Sequence, residues 1–373
     1  MEQESQWRAS RVRAGMDAER IDALLSFAAG WRRENVRYLT GARLRGAFSF
    51  AYLGGSGSVT AFVGSGSDEE ATQEVGWVDD VRRLEFPDCS EIAAMINADP
   101  GARRVGVAHL ELMPAALVES VRGGLQRAEL VSATRLMDKV RLVKSDWELE
   151  RVRRAGEVCS AGWDALVGAL EPKVREFEVV AAVEAELKRL GAEDNFMLFA
   201  SGGKEVMGMT PPGARVLRPG DMVRTELTPQ LGGYYAQICR SAVLGEPDEG
   251  QQRSFELFKE ALEAGLGAVR AGVTAHDIAR AENDVFREHG YGEFTTSQYT
   301  RVRGHGHGLH PDEVPSLLEG EETVIEEGSV IIVHPNTYTP LAGYQVLGDP
   351  VVVTKDGYEL LLGTERKLYS APV

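Results

Sequence analysis

The apolar positions along the chain change period several times, and each change marks an element. Val12, Met16, Ile21, Leu24 and Leu25 recur at helical spacing and predict an amphipathic helix over 8–25. A strand is expected at 25–29, followed by the segment 35–41. The runs 47–53 and 58–63 are aromatic and β-branched and are split by Gly54-Gly55-Ser56-Gly57, a hairpin signal. Helix and strand candidates follow at 89–97, 104–109 and 114–123. This alternation predicts a small three-layer α/β domain over 1–133. The pattern then changes. Ser145 and Glu148 form a capping box for a long helix towards 170, and a second helix at 177–190 is closed by Gly191. Strands are expected at 222–228 and 234–242, and helices at 249–271 and 274–289. The last strands fall at 329–334, 343–347 and 350–354, which completes a second domain over 134–373.

Composition narrows the function classes. The 373 residues are 43% hydrophobic and 26% charged, ordinary for a globular protein. A net charge of 41 − 57 = −16 argues against nucleic acid and against an anionic membrane as partner. No apolar run approaches the ~20 residues of a membrane helix. The polar start Met1-Glu2-Gln3-Glu4-Ser5 does not read as a signal peptide. Cys89, Cys159 and Cys239 are far apart and odd in number, so a reduced, cytoplasmic setting without disulfides is expected.

The densest chemistry lies in Gly304-His305-Gly306-His307-Gly308-Leu309-His310, which holds three of the chain's seven histidines. On an extended strand His305 and His307 would point the same way. Imidazole titrates near neutral pH and is the commonest metal ligand, so acid/base work or metal binding is expected here.

Taken in order, Asn35 with Tyr38-Leu39-Thr40-Gly41, Arg141-Leu142-Val143-Lys144-Ser145, Gly220-Asp221, Gly233-Tyr234-Tyr235, Arg240-Ser241, the histidine run and Glu313-Val314-Pro315 resemble the pita-bread family of creatinase, aminopeptidase P and methionine aminopeptidase. The resemblance implies a creatinase-type N-terminal domain and a C-terminal pita-bread domain. The family's metallopeptidases hold two metal ions on Asp, Asp, His, Glu and Glu. By that resemblance these positions fall on Glu226, Gln237, His305, His334 and Gly348. A histidine that creatinase requires falls on Met209, and a second family histidine on Asp312. Bridged metal pairs at ~3.5–4 Å need carboxylates between them, so a dinuclear centre is not expected.

Three readings follow. Glu226, His305 and His334, with Gln237 as a weak fourth donor, could hold one divalent ion, iron, manganese or zinc. Without metal, His305, His334 and Glu226 could act as catalytic acid/base groups on a small non-peptide substrate, by hydrolytic C–N cleavage. A non-catalytic binding domain is the third. Tyr235, Arg240, His307 and His310 are candidate substrate contacts. Arg301 and Arg303 would share one side of a strand and could hold an anion. The resemblance also implies a homodimer in which Arg43 or Arg45 reaches the partner's site.

Overall fold

A computed structural model describes residues 2–373, and the chain forms two compact units, Met1–Arg141 and Leu142–Val373. The first unit begins with α1 (Glu2–Glu19), β1 (Ala23–Ala29) and α2 (Glu34–Thr40). It continues through β2 (Phe48–Leu53), β3 (Val59–Val63), α3 (Gly66–Val75) and β4 (Asp80–Arg83). It ends with α4 (Ser90–Ala98), β5 (Arg104–Ala108), α5 (Ala115–Gly124), β6 (Glu129–Ser132) and α6 (Thr134–Leu142). Among the described residues its six strands form one sheet in the order β4-β3-β2-β1-β5-β6. The β2–β3 hairpin is antiparallel, as the Gly-rich split predicts, while β1, β5 and β6 run parallel. Phe27, Phe50 and Phe62 from the sheet pack with Ile92 and Leu117 from α4 and α5.

Two expectations shift here. α1 stops at Glu19, because Arg20 turns to positive φ and the Ile21 N–H caps the Met16 carbonyl. Ile21, Leu24 and Leu25 are therefore not a helix face: the two leucines belong to β1, whose residues Ala23 to Ala28 are all buried. A strand covered on both faces reads as a continuous apolar run, which helical spacing can mimic. α6 also falls mostly in the first unit, beyond the expected junction at 133. Its Leu136 and Val140 close on Gly15 of α1, and Arg11 donates to the Val140 carbonyl.

The second unit opens with α7 (Asp146–Gly168), α8 (Glu176–Arg189) and β7 (Asp194–Gly202). β8 (Met222–Leu231), β9 (Tyr234–Tyr235) and β10 (Ile238–Leu244) follow, then α9 (Glu249–Ala268) and α10 (Ala275–Glu288). Short strands complete it: β11 (Gly304–Gly306), β12 (Glu313–Ser316), β13 (Val330–Val333), β14 (Thr337–Thr339) and β15 (Gly343–Gln345). The last are β16 (Asp349–Val353), β17 (Tyr358–Leu360) and β18 (Tyr369–Ala371). The Ser145–Glu148 capping box starts α7, and Thr274 caps α10, both as the sequence predicts. One sheet runs β18-β10-β8-β7 with β9 on β8, and another runs β12-β11-β13-β16-β17. Trp163 and Val183 of α7 and α8 pack on the first with Leu227 and Ile238. Phe258 and Phe286 of α9 and α10 pack on the second with Ile331 and Val333.

The expected strand 234–242 is interrupted at Ala236-Gln237 and resumes as β10. There the two sheets meet: Cys239 and Gly348 exchange backbone hydrogen bonds at 3.3 and 3.0 Å. This junction lies against Glu226 of β8, which pairs with Cys239, and against His334, which follows β13 and sits beside Gly348. No helix among the described residues is long and apolar enough to cross a membrane.

Candidate functional site

The glycines of the histidine run serve strand packing. A Cβ on Gly304, at φ 147°, would lie 2.1 Å from the Ile332 carbonyl, and one on Gly306 would lie 2.2 Å from the Val314 carbonyl. β11 is thus wedged between β13 and β12, with a register shift after His305. The strand ends at Gly306, so His307 lies beyond it. The His305 and His307 rings still meet edge to face with centroids 4.9 Å apart, and the His305 and His334 rings meet at 5.4 Å.

All three imidazoles are buried, and burial pushes each pKa down, so they are neutral at pH 7. The His305 Nδ1 lies 3.1 Å from the Gly306 carbonyl. A carbonyl only accepts, so Nδ1 carries the proton and Nε2 presents a lone pair. Neither ring nitrogen of His307, nor Nδ1 of His334, has a hydrogen-bond partner among the described residues.

Glu226 sits on β8, paired across the sheet with Leu198 and Cys239. Burial raises its pKa to about 7, against a hydrogen bond from the Asn336 amide at 2.9 Å that favours the charged form. Arg301 and Asp312 act electrostatically on both Glu226 and His305, which places the two in one neighbourhood. The Asn336 side chain also accepts from the Leu347 N–H at 3.0 Å and approaches the Cys239 Sγ at 3.6 Å. Met209 and Tyr344 pack on Cys239, Ile332 and Val346, giving this region an apolar wall.

Several candidates are placed elsewhere. Arg240 is fully buried and bonds Asp349 at 2.6 Å and the Gly348 carbonyl at 2.8 Å, so it anchors the sheet junction and reaches no substrate. Gln237 is buried with its amide on the Cys239 Sγ at 3.4 Å. His310 is tied into its own turn by the Asp312 carbonyl. Tyr235 is half-buried, and its N–H holds the Gly308 carbonyl. Arg43 is an exposed residue of the first unit. Arg301 and Arg303 do not form a pair: Arg301 is exposed beside Asp312, whereas Arg303 is buried. Asn336 was absent from the expected set. Its signal was present in Pro335-Asn336, which stands where the resembled family has Pro-Gly, and so adds a side chain beside a site position.

These residues do not fit the two metal ions that the resemblance implies. Among the described residues no group of three or more His, Cys, Asp or Glu side chains is arranged to hold an ion, and this includes Glu226, His305 and His334. One Glu226 oxygen is occupied by Asn336. Position 348 cannot regain a ligand by side-chain replacement alone, since a Cβ there would stand 2.5 Å from the His334 Cβ and 2.9 Å from the Val333 carbonyl.

Residues 150–355 match the description Metallopeptidase family M24, and residues 8–143 match Creatinase/Prolidase N-terminal domain. The Xaa-Pro dipeptidase of Pyrococcus horikoshii is 27% identical over 355 residues, 95% of this chain and 96% of that protein. The Xaa-Pro dipeptidase of Pyrococcus furiosus is 29% identical over 254 residues, 68% and 72% of the two chains. The solved prolidase from Pyrococcus horikoshii OT3 has a TM-score of 0.84 at 26% identity, covering 97% of this chain and 99% of that one. The two-domain α/β architecture, a creatinase-type N-terminal domain before a pita-bread domain, is thereby shown.

The Glu226 pKa has a consequence for stability. Because the folded value of about 7 exceeds the ordinary 4.5, the folded state binds the extra proton. The stability this contributes is complete below about pH 4.5 and is lost as pH rises through about 7. Glu226→Gln should therefore gain stability relative to wild type as pH rises across that window. Urea midpoints at pH 4.5 and pH 8 measure it, and a constant difference between the proteins would contradict the assignment.

Proposed function

The chain belongs to metallopeptidase family M24, and on that premise we propose that it is a hydrolase of Xaa-Pro-type dipeptides. The expected non-peptide substrate is overturned, together with the alternatives of an iron oxygen enzyme and a non-catalytic binding domain. A relative matching 95% of the chain is named an Xaa-Pro dipeptidase, and a solved structure covering 97% of it is named a prolidase. The observation that carries the reading at the level of the site is the pair of a neutral His305 and a Glu226 poised near pH 7.

Family members of this description are metallopeptidases, but the donor set here fits no metal pair, so the chemistry is assigned to the side chains themselves. The His305 Nε2 lone pair takes a proton from the attacking water as its oxygen bonds to the peptide carbonyl carbon. Protonated Glu226 delivers its proton to the leaving nitrogen as the C–N bond breaks. A pKa near the working pH suits both halves of such an exchange. Asn336 fixes the Glu226 carboxyl, and His334 borders His305 at the sheet junction. Met209 and Tyr344 offer an apolar surface suited to a side chain or a pyrrolidine ring.

Hydrolysis of Ala-Pro, followed by release of free proline, is the direct assay. Wild type should turn over, and His305→Ala should lose about 100-fold or more in kcat, the usual scale of a lost general base. No turnover across a panel of Xaa-Pro dipeptides, or full activity in His305→Ala, would contradict the proposal.

The dimer implied by the creatinase-type N-terminal domain belongs to the same proposal, with Arg43 as the residue offered to the partner's site. Sedimentation equilibrium should give twice the 40.6 kDa chain mass. In that dimer Arg43→Ala should raise KM, while a monomer at micromolar concentration would rule the arrangement out.

A further inference from the structure

The Glu226–Asn336 contact is one end of a longer hydrogen-bonded chain. Its centre is Arg303, which is 1% exposed and so cannot reach a substrate. The Arg303 Nε donates to the Asn283 side-chain oxygen of α10 at 2.6 Å. Its Nη1 donates to the Pro335 carbonyl at 3.0 Å and the Asn336 carbonyl at 3.2 Å. The Arg303 carbonyl accepts from the His334 N–H at 2.9 Å. One residue therefore holds the backbone on both sides of His334 and the residue that touches Glu226.

The guanidinium is itself held rigidly. It lies over the Phe286 ring at 5.0 Å, and Asn283 is fixed in turn by Glu319 at 2.7 Å, which pairs with Arg287 near the surface. Glu282 is buried nearby and interacts electrostatically with it, although burial pushes the Glu282 pKa well above the usual carboxylate range. Among the described residues neither Glu282 oxygen has a hydrogen-bond partner, and Gly265 leaves the room for its side chain, since a Cβ there would meet the Glu282 Cγ at 2.6 Å. Burying an arginine is costly, and the bonds from Nε to Asn283 and from Nη1 to the 335–336 carbonyls offset part of that cost.

We propose that Arg303 is the positioning residue of the site, setting the Pro335-Asn336 backbone so that the Asn336 amide meets Glu226 and His334 stays beside His305. The proposal rests on the functional reading above for its kinetic consequences. Its structural link can be tested without turnover, because the Leu347 N–H is bonded to the Asn336 side-chain oxygen. If Arg303 releases Asn336, that amide loses its acceptor.

The experiment compares Arg303→Met, Arg303→Lys, Asn336→Ala and the double variant Arg303→Met/Asn336→Ala. Hydrogen exchange at Leu347 is read by mass spectrometry, and kcat and KM are read on Ala-Pro. In Arg303→Met, Leu347 should exchange at least about tenfold faster, as expected when a local contact opens. The kcat should fall about 10- to 100-fold with KM within about twofold, the signature of misplaced groups rather than lost binding. Arg303→Lys keeps the charge beside Glu282 and should recover part of the kcat. The double variant should be no slower than the worse single, because both act through one contact. Unchanged Leu347 exchange, or losses that multiply in the double variant, overturn the proposal. If wild type does not hydrolyse the dipeptide, the functional reading fails, and Leu347 exchange alone still decides the positioning link. Should Arg303→Met not fold, Asn283→Ala removes the Nε acceptor and is judged by the same outcomes.

Discussion

A carboxyl group largely withdrawn from water, with no cation in ion-pair contact among the described residues, must either keep its proton or be held by dipoles, and the pocket is organised around that constraint at Glu226. Desolvation carries its pKa to about 7, and the single amide donor from Asn336 works in the opposite direction without cancelling it. The imidazoles nearby are neutral for the same reason, burial. The outcome is a carboxyl that changes charge near neutral pH beside imidazoles that burial keeps neutral.

The backbone enforces this state as firmly as the side chains do. At the junction of the two sheets, Gly348 approaches Val333 and His334 too closely for any Cβ, and Arg240 with Asp349 ties the same junction from behind. The imidazole at 334, the glycine at 348 and the amide at 336 are therefore coupled. Reversion of one position towards a metal-ligating carboxylate would meet the others.

How much of this was legible in the sequence follows from the range of the forces involved. Local signals were readable: the capping box at Ser145, the hairpin between β2 and β3 and the Thr274 cap depend on neighbours within a few residues. The meeting of His305 and His334 followed from resemblance to a known fold, whereas spacing alone gave only a same-side pair at 305 and 307. Arg303 and Arg301 looked equivalent in a strand, yet Arg303 is buried against α10 and Arg301 is exposed, because β11 begins only at Gly304 and backbone pairing to Leu317 and His334 holds Arg303 alone of the two. For Arg240 the sequence left a sheet anchor and a substrate contact equally open, for a similar reason. A buried ion pair 109 positions apart in sequence, to Asp349, leaves no local trace. Substrate class lay further out of reach, since substitutions at ligand positions suggested a changed substrate, whereas the nearly full-length relatives are dipeptidases.

The central claim is that the site performs its chemistry through His305 and Glu226 without a metal pair. The direct measurement is the Ala-Pro hydrolysis rate of protein dialysed against chelator, with metal content determined by elemental analysis on the same sample and again after adding excess manganese. The expected result is a rate unchanged by chelation and by manganese, with metal well below one ion per chain throughout. Activity that vanishes on chelation and returns as two ions bind per chain would contradict the account.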